Sequence, residues 1–167
     1  PYKKEMLGQN PWRIDPAISG GGLFHDLAPH QLDLMVYFFG APLEGKGIAC
    51  NKGGHFVADD TVTGTALLPG NIIFNGLWSF AAPPAEAVDE CVITGTKGTL
   101  TFSVFGKQII QLAINDQQEN IPFTPPAHVQ QPMIEKVVTY FRGEGENPCS
   151  AVAGVQVMQW IDAFTGK

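Results

Sequence analysis

Between residues 23 and 39, Leu23, Phe24, Leu27, Leu34, Met35 and Phe38 recur at helical spacing, and Gly40 with Pro42 supplies a stop signal. A helix is expected over this segment. Pro29 lies inside it and removes one backbone hydrogen bond, which predicts a kink or a first turn set apart. Residues 1–22 read as irregular, with Pro1, Pro11, Pro16 and the triplet Gly20-Gly21-Gly22.

Over residues 45–124 the pattern changes to that of an antiparallel meander. Thr61 to Leu68 and Ile72 to Phe80 are strand-like, joined by the turn Pro69-Gly70-Asn71. Cys91 to Thr94 and Thr99 to Val104 flank a second turn, Gly95-Thr96-Lys97-Gly98. Ile109 to Ile114 and Ile121 to Phe123 flank a third, the polar run 115–120. Apolar and polar residues alternate in Thr61-Val62-Thr63 and Thr99-Leu100-Thr101-Phe102, as in strands with one wet face. Helical periodicity returns at Pro132, where Met133, Ile134, Val137, Val138 and Phe141 form a stripe ending at Gly143. A last helix is expected from about Ala151 to Phe164, with Gln156, Gln159 and Asp162 on one side. These elements predict an α+β fold: one open, mostly antiparallel β-sheet with its helices packed on one face. At 167 residues, the span 1–167 fits a single domain.

Composition supports this picture and narrows the functional classes. Gly 19 and Pro 13 favour tight turns and short elements over a helical bundle. The net charge is −6 and the ten Lys and Arg are scattered, so neither nucleic acid nor an anionic membrane surface is an expected partner. No apolar run approaches the roughly 20 residues of a membrane span, and no apolar stretch following Pro1-Tyr2-Lys3-Lys4-Glu5 marks a signal peptide. Cys50, Cys91 and Cys149 are widely spaced and form no Cys-x-x-Cys pair, which fits reduced thiols in a cytoplasmic protein.

The first helix carries the candidate chemistry. Asp26, His30, Asp33 and Tyr37 follow spacings of 4, 3 and 4, which places them within roughly 60° of one another. The remainder of that helix is strongly apolar, so it is expected to be largely buried, and a buried polar stripe needs partners. Asp26 and His30 stand at i and i+4 and can touch, the carboxylate orienting the ring as a general base for a hydroxyl proton requires. Periodicity alone leaves a second reading open, an Asp–His pair that only satisfies buried polarity. Gly20-Gly21-Gly22 precedes a helix, yet neither a P-loop nor a Gly-x-Gly-x-x-Gly pattern occurs, which favours close backbone packing over phosphate binding. His25, His55 and His128 lack metal-ligand spacing, so no metal site is expected, and no serine sits in a Gly-x-Ser-x-Gly setting. Trp12-Arg13 is suited either to line a pocket for hydroxyl-rich ligands or simply to pack a loop.

Taken together, Trp12-Arg13, Gly20-Gly21-Gly22 and the run Asp26-x-x-x-His30-x-x-Asp33 resemble a segment of the glucose–fructose oxidoreductase, inositol dehydrogenase and MocA family. Ile93-Thr94-Gly95-Thr96-Lys97-Gly98-Thr99-Leu100 is similar to that family's sheet hairpin, and His128 through Phe164 to its two closing helices. The resemblance implies the family's C-terminal substrate domain, a dihydrodipicolinate-reductase-like open sheet that works beside a Rossmann domain holding NAD or NADP. It implies that His30 is the acid/base histidine, that Asp26 assists it and helps hold substrate, and that Trp12 and Arg13 border the substrate pocket. Asp33 follows as a structural position.

The family's Gly-rich dinucleotide loop and its lysine in a Glu-Lys-Pro motif do not occur in this sequence. The chain is therefore expected to be truncated at its N-terminus, to bind no nicotinamide cofactor alone and to be inactive alone. The full-length protein is expected to act on the CH–OH group of a sugar, inositol or related polyol, and to form a homo-oligomer through the open sheet face. Two alternatives stand beside this expectation: a domain serving mainly assembly, and a relative that hydrolyses glycosides with nicotinamide as a transient hydride carrier.

Overall fold

The computed structural model describes residues 12–166, which group into two compact units. The first runs to Ala87 and takes up the chain again from Cys149; the second is Val88–Pro148. The expected class is present, α+β with open antiparallel sheets. The strands divide into two sheets, however, where the hydrophobic pattern suggested one.

In the first unit a 3-10 turn, Trp12–Ile14, leads into the single-turn helix α1 (Pro16–Ser19) and the long helix α2 (Leu23–Phe39). Strands β1 (Glu44–Cys50), β2 (Thr61–Leu68) and β3 (Ile72–Ser79) follow in the order β1-β2-β3, each antiparallel to its neighbour. The β2–β3 turn uses Gly70 and Asn71 at φ +77° and +58°, the left-handed region that Gly and Asn tolerate best. Helix α4 (Ala151–Thr165) returns from the far end of the chain and, with α2, packs on one face of this sheet.

Alternation decides which face. Along β2 the side chains of Val62, Ala66 and Leu68 are buried, while Thr63 and Thr65 are exposed. A row of glycines, Gly47 opposite Gly64 opposite Gly76, crosses all three strands. A Cβ on Gly64 would fall 2.5 Å from the Phe164 ring, and one on Gly47 would fall 2.7 Å from the Phe164 carbonyl oxygen. The missing side chains thus form the groove in which the last turn of α4 lies. Above it Phe74 meets Trp160 with ring centroids 5.0 Å apart and Phe164 at 6.2 Å, and Phe24 meets Trp78 at 5.0 Å.

The β1–β2 connection is held by a buried carboxylate. Asp60 accepts hydrogen bonds from the Lys52 N–H (2.9 Å), the Gly53 N–H (2.7 Å) and the Thr61 hydroxyl (2.9 Å). Burial pushes its pKa up, but these donors, with His55 nearby, outweigh burial and hold the carboxyl below its ordinary range.

In the second unit β4 (Cys91–Gly95), β5 (Gly98–Phe102), β6 (Ile109–Ile114) and β7 (Gln117–Pro122) form a four-stranded antiparallel sheet in sequence order. Helix α3 (Gln131–Phe141) follows and buries none of its residues. The polar run 115–120, expected as one long turn, instead supplies most of β7; only Asn115 and Asp116 turn, at φ +48° and +62°. All residues of β7 are exposed, so no apolar alternation announces the strand. Two further differences concern α2 and β1. Helix α2 is continuous across Pro29, so its first turn is not set apart, and Glu44–Cys50, rich in glycine, forms a strand that β-propensity does not mark.

Candidate functional site

Helix α2 is two-sided. Leu23, Phe24, Ala28, Leu32 and Met35 are buried toward the core, whereas His30, Asp33 and Tyr37 are exposed and Asp26 is half-buried. The expectation of a buried polar stripe is therefore corrected. The stripe lies on the open side of the helix, because the apolar positions at 23, 24, 28, 32 and 35 already fill the face toward the sheet. Its polarity costs no desolvation that would demand internal partners.

The position of the stripe is fixed from beneath and from its N-terminal end. Beneath His30, Gln31 accepts a hydrogen bond from the indole N–H of Trp78 on β3. At the entry to α2, Gly21 and Gly22 are buried. A Cβ on Gly21 would fall 1.9 Å from His25 Nδ1, and one on Gly22 would fall 2.6 Å from the Ala58 Cβ. The glycine triplet thus serves close backbone packing, bringing the start of α2 against the 51–60 connection.

The carboxylate of Asp26 is engaged by Arg13, with Nε 3.2 Å from Oδ2. Spacing along the helix places His30 one turn from the same carboxylate. The Arg13 pair depends on a chain reversal through α1 that one helix's periodicity cannot reveal. The visible signals are Asp15 before Pro16, a helix start, and Gly20, a helix stop. The Arg13 guanidinium carbon also sits 4.5 Å from the centroid of the Trp12 ring, which is half exposed. Trp12, Arg13, Asp26 and His30 all belong to the segment formed by the 3-10 turn, α1 and α2. Arg13 touches both Trp12 and Asp26, and His30 stands one helical turn beyond Asp26 on the same face.

Such an array offers an imidazole for proton transfer, a carboxylate held by a cation, and an indole with an exposed apolar face. It offers no dinucleotide cradle. The glycine triplet follows α1 rather than a strand, and its second and third members are packed against His25 and Ala58. Gly20-Gly21-Gly22 therefore does not fit the phosphates of a nicotinamide dinucleotide. Among the described residues no group of three or more His, Cys, Asp or Glu is placed to hold a metal ion. No helix among them is long and apolar enough to cross a membrane.

Residues 1–101 match the sequence profile described as the GFO/IDH/MocA C-terminal domain. The chain belongs to the GFO/IDH/MocA family. One relative, Oxidoreductase P35 of Formosa agariphila, is 42% identical over 155 residues, covering 93% of this chain and 47% of that protein. Among solved structures, aldose-aldose oxidoreductase from Caulobacter crescentus, complexed with glycerol, superposes with a TM-score of 0.77 at 16% identity. That match covers 92% of this chain and 47% of the other. Levoglucosan dehydrogenase in complex with NADH gives a TM-score of 0.73 at 20% identity, covering 92% of this chain and 50% of the other. These structural likenesses establish the GFO/IDH/MocA C-terminal fold. The chain spans about half the length of the relatives it matches.

Proposed function

We propose that this chain is the substrate-binding half of an NAD(P)-dependent oxidoreductase acting on the CH–OH group of a sugar, inositol or related polyol. The observation that carries the reading is the exposed stripe of α2, with His30 open to solvent one turn beyond a carboxylate held by Arg13. Family membership supports it, as do neighbours named as an aldose oxidoreductase and a levoglucosan dehydrogenase.

In this reading His30 takes the hydroxyl proton as the carbinol is oxidised and returns it in the reverse direction. Asp26 orients the imidazole and contributes a hydrogen-bond acceptor for a neighbouring substrate hydroxyl. Trp12 supplies an apolar face against which a sugar ring can lie, and Arg13 borders the same pocket. The nicotinamide, NAD or NADP, is the hydride partner and is held by a part of the protein outside this chain. Orientation supplies much of the rate, because proton and hydride must leave one fixed substrate.

The test is a screen of the full-length protein against aldoses, inositols and other polyols, following nicotinamide absorbance with NAD and with NADP. Substrate-dependent reduction of either cofactor is expected. Release of a free sugar from glycosides without net cofactor reduction would instead establish a hydrolase. The isolated chain is expected to show no turnover in the same assay.

The partner we propose is a second copy of the protein, joined through the outer face of the three-stranded sheet. On that face Ile48, Ile73 and Leu77 are 70%, 72% and 71% exposed, and Ile48 and Leu77 flank Thr63 in one cross-strand row.

A further inference from the structure

We infer that Arg13 is a positioning residue, acting on the reaction through the Asp26 carboxylate rather than by binding substrate itself. The inference rests on the reading that Asp26 serves His30. It goes beyond that reading by naming what sets the carboxylate.

Three observations converge. First, the guanidinium is already engaged on two sides: its Nε lies 3.2 Å from Asp26 Oδ2, and its central carbon lies 4.5 Å from the Trp12 ring centroid. A planar cation held by a ring face and a carboxylate edge is fixed in orientation, which a lysine ammonium would not be. Second, the chain reversal that delivers Arg13 to Asp26 is built from its own hydrogen bonds. The Asp15 N–H donates to the Trp12 carbonyl (3.2 Å), and the Asp15 carboxylate accepts from the Ala17 N–H (2.9 Å). The Gly20 N–H donates to the Pro16 carbonyl (3.0 Å), and the Ser19 hydroxyl lies within reach of the Asp15 and Gly21 carbonyl oxygens (2.9 and 2.8 Å). Third, the pair is part-exposed, at 54% for Arg13 and 38% for Asp26, so it adds little to stability. Its consequence is geometric. Fixing one carboxylate oxygen stops rotation of the group and presents the other oxygen in one direction.

The experiment is a kinetic cycle on the full-length protein with its best substrate, comparing Arg13→Ala, Asp26→Asn and the double variant. Arg13→Ala is expected to lower kcat about tenfold while KM stays within about twofold. The double variant is expected to match Asp26→Asn to within about twofold, because Arg13 then has no carboxylate to set. Arg13→Lys, keeping charge without the planar fork, is expected to recover part of the loss. A raised KM with kcat retained, losses that multiply in the double variant, or unchanged kinetics in Arg13→Ala would each overturn the inference. Where Asp26→Asn leaves too little turnover to compare, the kcat–KM split of Arg13→Ala decides. Wild-type kcat in Asp26→Asn would overturn the assignment of the site itself, a result distinct from a failed cycle.

Discussion

Asp60 is the only buried charged side chain among the described residues, and it organises the turn before β2. Replacement by Asn keeps one acceptor but turns an amide N–H₂ toward donors, so Asp60→Asn is expected to cost about 1–3 kcal/mol at neutral pH in urea unfolding. The folded carboxyl is held below the ordinary aspartate value of 3.8, so its contribution is full above that value. The contribution is lost as the pH falls through the depressed folded value. The gap between wild type and Asp60→Asn should therefore narrow on acidification; a gap that stays constant with pH would contradict this assignment. The adjacent Thr61 hydroxyl is its one donor nearby in sequence; the two backbone donors lie eight and seven residues earlier, where no pattern announces them. The polar stripe of α2 is the opposite case. Asp26, His30, Asp33 and Tyr37 were legible from spacing, but their exposure was not, since spacing sets a face without saying what covers it.

At the scale of elements, the glycine row beneath α4 is the feature most open to test. A methyl on Gly64 must displace the Phe164 ring, so Gly64→Ala is expected to destabilise the fold by about 1–3 kcal/mol. Part of that loss should be recovered when Phe164→Leu is added, a coupling that chemical unfolding of the single and double variants measures. Strictly additive losses would show that the ring and the strand do not share this space. Long periodic segments were readable with nearly their full bounds: α2 between Gly22 and Gly40, β2 and β3 around their glycine turn, and α4. β7 was not, because Gln117–Pro122 exposes every residue and is specified by pairing with β6 rather than by burial. Nor did the sequence show why Gly47 and Gly64 stand within strands. Their role comes from a helix more than 80 residues later in the chain.

For the molecule as a whole, the three-stranded sheet presents an inner face closed by α2 and α4 and an outer face that carries Ile48, Ile73 and Leu77. Val62 turns inward and Phe74 packs on Trp160, which leaves Thr, Ile and Leu on the outer face. If this face joins two copies, Ile48→Lys with Leu77→Lys should shift the full-length protein from dimer to monomer in sedimentation velocity. An unchanged sedimentation coefficient would place any assembly surface elsewhere. The central claim, that the open stripe of α2 handles the substrate proton, is tested most directly by the turnover of His30→Ala in the full-length protein. A fall in kcat of at least ~10²-fold is expected; wild-type turnover in that variant would remove His30 from proton transfer.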